Sequence, residues 1–330
     1  MRILVDMISR RLPLLIVLVA IFTFLSPVYW KVAPWVPSLL LGVVIFFAGL
    51  SMNISAIKGI RAKKKELFLA VLLKWTLTVF VSIGLAYGFF SSKPEIAAGI
   101  ILAGTVPSGT AATLYTFLAG GNASLVIAAS LLDIAISPIV TPLAMLGLSG
   151  SQITLSFFKL LQSFFFIVFL PLGIGLVIQR LLPQLASHSR LITRFGSSLA
   201  LLLIIHTIVG HGSKAISLEL DILPLIVVVT FIQVVFPMVA AYFIAKKLSI
   251  GEEDARALLF QVGLCNSALA AILAFEFIGE LAAIGPMVNM IINLSVGSMI
   301  ANHFVKSDKI ASKKSSITQR FEFNSGKNVR

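Results

Sequence analysis

About ten stretches of this chain stay apolar for close to the ~20 residues that a bilayer core demands of a helix. They run over 12–30, 36–54, 67–90, 95–118, 123–147, 155–179, 195–211, 222–245, 254–278 and 282–304. Inside hydrocarbon every backbone amide and carbonyl must find a partner, so only helices or a closed barrel can span. The period-two alternation of barrel strands is absent, which leaves helices. Only 12% of the residues are charged against 58% hydrophobic, about half the charge of a soluble domain. The expected fold class is an all-α polytopic membrane protein with the lipid bilayer as its first partner.

The formal net charge of +13 invites a nucleic-acid reading, but the basic residues follow the order of the segments. With the N-terminus inside, alternate connections collect Arg2, Arg10 and Arg11, then Lys58, Arg61, Lys63, Lys64 and Lys65, then Arg180, Arg190 and Arg194, then Lys246, Lys247 and Arg256, then the basic residues from Lys306 onward. Lys31, Lys93, Lys159 and Lys214 fall on the opposite side, and Lys74 lies within a segment. The positive-inside rule then puts both termini in the cytoplasm of a multi-pass protein of the cell's inner (plasma) membrane, with no nucleic-acid partner. The one cysteine, Cys265, sits inside a segment and builds no disulfide framework. The N-terminus resembles a signal peptide in its basic start and apolar run, but no small-residue cleavage site follows at Ser26 to Trp30, so it reads as a retained first helix. Residues 306–330 are polar, basic and aperiodic, and are expected to form a disordered cytoplasmic tail.

Within the fourth segment, Gly104-Thr105-Val106-Pro107-Ser108-Gly109-Thr110 interrupts what should be a featureless helix. Pro107 removes a donor and clashes with the preceding turn, so nearby carbonyls lose partners while the amides of the following half-helix point into the gap. Such gaps hold ions or polar solutes in transporters. A constant offset of 159 sets Glu95 on Asp254, Gly104 on Gly263 and Ser108 on Ser267. Segments four and nine hold equivalent places if the chain is a duplication, and five helices per half would force the second half to enter the membrane upside down. The competing reading is two ordinary kinks packed by neighbours.

The stretches Gly99 to Thr113 and Gln261-Val262-Gly263-Leu264-Cys265-Asn266-Ser267 to Ala271, with Ser137-Pro138-Ile139-Val140-Thr141-Pro142 between them, resemble the bile acid:sodium symporter family over roughly residues 10 to 305. The resemblance implies about ten transmembrane helices in two inverted five-helix repeats, residues 1–150 and 151–305, with helices 4 and 9 broken and crossing. It also implies a core domain of helices 3–5 and 8–10, a panel of helices 1, 2, 6 and 7, and organic-anion substrates, from bile acids to small carboxylates.

The sodium pattern implied by that resemblance is incomplete. A glutamate expected at the start of the helix-nine run is Gln261, and a second ligand position holds the sulfur of Cys265, a poor partner for a hard cation that prefers oxygen. The usual Ser-Asn pair of helix four corresponds to Ala112 and Thr113, and two hydroxyl positions of helix five to Val126 and Ser130. On helix three, Lys74-Trp75 stands where Gln or His before an aromatic is common, so an ammonium could occupy the place of a sodium ion. The alternative is a lysine that snorkels to the interface. Asp133 lies deep in helix five, where an isolated charge is expensive. It calls for a Lys74/Asp133 pair, either a relay that changes protonation during transport or a static pair that fixes packing.

The reading that follows is a secondary transporter of a small organic anion working by alternating access. Thr110, Thr113, Asn266, Ser267 and Asn293 are the candidate substrate contacts, and Lys74, Asp133, Ser130, Gln261 and Cys265 the candidate coupling or ion site. Coupling would be sodium-independent or to protons; ordinary sodium symport through neutral oxygens and an anion receptor without flux are the alternatives. No metalloprotease motif, paired intramembrane aspartates or Gly-x-Gly-Asp points to an enzyme, and no cofactor or resident metal is expected. His206 reads as a satisfied interfacial histidine, and Tyr29, Trp30, Trp35 and Tyr87 as belt residues.

Overall fold

The computed structural model describes residues 11–26, 29–30, 32–33, 35–51, 60, 62–146 and 157–327, with 146, 157, 183, 185–194 and 309–327 in backbone only. Arg2, Arg10, Lys31, Lys58, Arg61 and Arg330, and the expected repeat boundary at 150, lie outside the described residues. Among the described residues regular structure is helical, apart from one antiparallel bridge between Ser108 and Cys265. In chain order the helices are α1 (Leu12–Leu25), α2 (Val36–Ser51), α3 (Lys64–Phe90), α4 (Pro94–Thr105), α5 (Thr110–Leu118) and α6 (Ala123–Leu146). They continue with α7 (Phe158–Leu181), α8 (Pro183–Leu218), α9 (Leu223–Lys247), α10 (Glu252–Gly263), α11 (Ser267–Phe277) and α12 (Glu280–Lys327). Prolines open several of them, at Pro13, Pro94, Pro183 and Pro224, where the missing amide would be unpaired anyway.

Among the described residues six helices, α3, α6, α7, α8, α9 and α12, contain spans long and apolar enough to cross a bilayer. The chain is therefore a multi-span membrane protein. Large apolar side chains such as Phe22, Phe80, Phe158 and Phe243 stand exposed on its outside, as a lipid-facing surface requires. The helices pack as two bundles: α1, α2, α7 and α8 mainly on one another, and α3 to α6 with α9 to α12 on one another. His206 ties α8 to the α1 end, its two ring nitrogens engaged by Thr23 Oγ1 (2.8 Å) and the Trp30 amide (3.0 Å). Between the bundles, Ser38 Oγ donates to Glu276 (3.1 Å) and Lys93 pairs with Glu219 (2.5 Å).

At the opposite end of the helices, α10 opens with Glu252, Glu253 and Asp254, placed where the helix dipole favours anions. Asp254 is 3% exposed and accepts from Lys63 Nζ (2.5 Å) and Asn122 Nδ2 (2.8 Å). Arg256 donates to Glu252, to the Ala119 carbonyl and to both Asp308 oxygens, with its guanidinium 4.4 Å from the Phe304 ring centre. That two-pronged hold on Asp308 fixes α12 at the end of its apolar span, and the helix continues to Lys327 through the stretch where an unstructured tail was expected.

Asp254 raises the Lys63 amine above its usual 10.5. A raised amine contributes stability that is complete below the unfolded value and is lost as pH climbs through the folded one. The unfolding temperature of the wild type should therefore fall more steeply above about pH 10.5 than that of Lys63→Gln. Parallel curves for the two proteins would contradict the pairing.

Candidate functional site

The segments interrupted in sequence are each two half-helices, and their breaks lie against one another. The Gly109 amide donates to the Leu264 carbonyl (3.1 Å) and the Asn266 amide to the Pro107 carbonyl (2.8 Å). Glycine at 109 lets the two breaks approach closely, since a Cβ there would stand 3.0 Å from the Cys265 carbonyl oxygen. Asn266 then caps α11, its side-chain oxygen accepting from the Leu269 amide (3.2 Å).

Breaking two helices leaves carbonyls without intrahelical partners at the ends of α4 and α10. Donors of the protein take them. The Thr105 carbonyl accepts from Thr141 Oγ1 (2.5 Å) and Ser137 Oγ (3.3 Å), which gives the proline-flanked stretch of α6 its structural purpose. The Gln261 carbonyl accepts from Ser108 Oγ (2.7 Å), the Val262 carbonyl from Thr78 Oγ1 (2.8 Å) and the Cys265 carbonyl from Asn293 Nδ2 (3.1 Å). The first amides of the following half-helices are different. Those of Thr110, Ala111 and Ala268 donate to no acceptor among the described residues. Thr110 is exposed, and Thr113 and Asn266 are partly so, on the accessible side of the crossing.

Behind that surface lies a charged layer. Lys74 is fully buried and opens a π-helical turn, Lys74–Thr78, in α3; single π turns recur at functional positions. Its ammonium donates to Cys265 Sγ at 2.7 Å. Asp133, also fully buried, accepts from Trp75 Nε1 (2.8 Å), Gln261 Nε2 (2.8 Å), Ser108 Oγ (2.7 Å) and the Ser108 amide (3.3 Å). The expected direct Lys74/Asp133 pair is therefore not formed. Successive helical residues point about 100° apart, so once Trp75 is turned onto α6, Lys74 is turned toward the α10–α11 break. Ser130 completes the layer by donating to Gln261 Oε1 (3.2 Å).

A second buried network flanks the first. Gln233 of α9 donates to Ser82 Oγ (2.8 Å) and the Ile100 carbonyl (2.6 Å) and accepts from Asn289 Nδ2 (3.0 Å). Asn289 Oδ1 in turn receives Ser267 Oγ (2.6 Å) and Asn293 Nδ2 (2.7 Å), and Asn293 Nδ2 also reaches Ser267 Oγ (2.6 Å). The Asn293 side-chain oxygen is buried without a partner among the described residues.

The structure thus brings together Thr110, Thr113 and Asn266 at the surface of the crossing, Ser267 and Asn293 beneath them, and Lys74, Cys265, Gln261, Ser130 and Asp133 in the charged layer. Sequence reasoning missed Ser108 and Trp75 as partners of Asp133, and Gln233 altogether. A lone amide in the middle of the apolar run 222–245 was the available signal for Gln233. Gln233→Ala takes a partner from three buried groups on α3, α4 and α12; Ser82 Oγ keeps its bond to the Thr78 carbonyl (2.7 Å) and Ile100 lies within α4, so the stranded group is Asn289 Nδ2, at roughly 1–3 kcal/mol. A drop of several degrees in unfolding temperature is the expected result, and an unchanged one would show that the network carries no load.

The sequence profile of the sodium bile acid symporter family matches residues 38–219. The chain is 26% identical over 306 residues to the uncharacterized sodium-dependent transporter YocS of Bacillus subtilis, covering 91% of this chain and 94% of that protein. It is 25% identical over 286 residues to the probable chloroplastic sodium/metabolite cotransporter BASS1 of Arabidopsis thaliana, covering 84% of this chain and 68% of that protein. With the uncharacterized protein YbaS of Bacillus subtilis it shares 25% identity over 277 residues, 81% of this chain and 86% of that one.

Proposed function

We propose that this chain, which belongs to the sodium bile acid symporter family, carries a small organic anion across the plasma membrane with the Lys74 ammonium standing in for sodium. The observation that carries the reading is the meeting of the α5 and α11 N-termini, whose Thr110, Ala111 and Ala268 amides have no acceptor among the described residues, in front of a buried ammonium. Helix N-termini hold partial positive charge and bind anions. Thr110, Thr113 and Asn266 would orient the anion's oxygens, with Ser267 and Asn293 reached as the crossing opens. Lys74 is fully buried and acts through its field.

In this reading α4 with α5, and α10 with α11, each count as one broken span among about ten, in two inverted five-helix repeats over 1–150 and 151–305. The matched breaks support it, their reciprocal bonds relating Pro107 to Leu264 and Gly109 to Asn266 at an offset of 157 (264 − 107 and 266 − 109), two residues short of the offset that pairs Ser108 with Ser267. The α3–α6 and α9–α12 bundle rocks as a core against a panel of α1, α2, α7 and α8, and the Lys93–Glu219 and Ser38–Glu276 links open on the outward side. Both termini face the cytoplasm, as the basic end formed by Lys63, Lys246 and Arg256 suggests.

Sodium independence is supported by the carbonyls at the breaks, which protein hydroxyls and amides already occupy. A second reading, ordinary sodium coupling, draws on the names of the relatives and on the Asp133 carboxyl beside Gln261, which returns to the crossing the carboxylate that position 261 lacks. Anion binding is tested by thermal unfolding in potassium salts of monocarboxylates from acetate to pantoate and benzoate, against potassium chloride. Saturable stabilisation by at least one of them is expected. A series that behaves throughout like chloride would contradict the anion site.

A further inference from the structure

We infer that Asp133 is a proton-binding site, and that its proton holds the two broken helices together. Ser108 Oγ lies 2.7 Å from Asp133 Oδ2 and 2.7 Å from the Gln261 carbonyl oxygen. A hydroxyl has one hydrogen to donate. With Asp133 ionised, that hydrogen serves one acceptor and leaves the other facing a lone pair at hydrogen-bond distance, where Asp133 and Gln261 are both fully buried. With a proton on Oδ2 both of these contacts are satisfied: the carboxyl donates to Ser108 Oγ, and Ser108 donates to the Gln261 carbonyl. Trp75 Nε1 still donates to Oδ1 and Gln261 Nε2 to the lone pair left in the plane of Oδ2, and the Ser108 amide, at 3.3 Å, is the one contact weakened by the proton.

The link matters because Ser108 sits in the α4–α5 break and Gln261 in the last turn of α10. Loss of the proton to water turns the Ser108 hydroxyl back to the carboxylate and releases the Gln261 carbonyl, so ionisation loosens the crossing where the anion binds. The titratable groups around the carboxyl are Lys74 on α3, which acts on it electrostatically, and Cys265 between α10 and α11, which Lys74 contacts. Charge then sets the coupling. A monovalent anion beside Lys74 and a neutral Asp133 sum to zero, and so do Lys74 and an ionised Asp133 once anion and proton have both left; the protonated, anion-free site keeps the Lys74 charge and awaits the anion. Both forms of the site avoid the cost of a net charge crossing hydrocarbon, so one proton accompanies one anion. This coupling rests on the anion-carrier reading; the proton on Asp133 does not.

Infrared difference spectra of the purified protein at pH 7 test the proton without any substrate. A carboxylic-acid C=O band is expected that disappears in Asp133→Asn and moves to higher frequency in Ser108→Ala, which removes the oxygen that accepts the carboxyl proton. If Asp133→Asn fails to fold, the Ser108→Ala shift decides alone. Absence of the band, a carboxylate band lost in its place, or a spectrum indifferent to Ser108→Ala would overturn the inference. Coupling is read separately in sodium-free proteoliposomes with the monocarboxylate that stabilises the protein best. An inward proton gradient should drive its uptake, and uptake blind to the gradient, with the band present, would overturn the coupling alone.

Discussion

Replacing Lys74 with glutamine should cut the affinity for a stabilising monocarboxylate by a factor of about 30. A unit charge acting over roughly 8 Å at an effective dielectric near 20 is worth about 2 kcal/mol, which corresponds to that factor. The side chain is fully buried and its one hydrogen-bond partner among the described residues is the sulfur of Cys265, so little of its charge is spent on a local counter-ion. Glutamine keeps a donor for that sulfur and much of the volume, which separates loss of charge from loss of packing. Titrating the carboxylate by thermal shift in choline medium gives the number, and a folded Lys74→Gln that binds as tightly as wild type would remove the ammonium from the account.

The second large effect is steric. A Cβ placed on Gly99 of α4 would overlap the Ala282 carbonyl oxygen of α12. Where the obstacle is a flexible side chain the neighbour can turn away, but here it is the backbone of a helix that also carries Asn289 and Asn293. Overpacking of a dense interior costs about 1–3 kcal/mol even when repacking is available, and Gly99→Ala should exceed that range. Gly84, on α3, has nothing within 4 Å of the same added atom, so Gly84→Ala should be neutral or slightly stabilising through helix propensity. The expected outcome is a Gly99→Ala protein that unfolds many degrees early or fails to purify as a single species, beside a Gly84→Ala protein like wild type. Equal unfolding temperatures would mean that α4 and α12 do not meet as closely as described.

How much of this was legible in sequence depended on the range of the interactions. The spanning segments were, because apolar runs of bilayer length are a local property. The break between α4 and α5 was also legible, since Pro107 and Gly109 announce it; the one between α10 and α11 contains no proline and emerged through its offset from the first. Residues at the crossing were found where a resemblance or an isolated polar type marked them, as with Lys74, Asp133 and Asn266. Their partners were not. Whether Lys74 faces Asp133 or Cys265 turns on the rotation imposed by a π turn, which no periodicity reveals. The Gln233 network joins α3, α4, α9 and α12 across separations of more than fifty residues, and only tertiary packing creates it. One segment also proved longer than its apolar run: 195–211 lies within the helix Pro183–Leu218.

The central claim is that a lysine of the protein occupies the place of the coupling cation. Thermal unfolding of the purified chain in sodium, potassium and choline chlorides at equal ionic strength tests it most directly, since a ligand bound only by the native state raises stability by mass action. The account predicts the same unfolding temperature in all three salts for the wild type, and a saturable rise specific to sodium once Lys74→Gln is combined with Gln261→Glu. Saturable stabilisation of the wild type by sodium alone would contradict it and restore ordinary sodium symport.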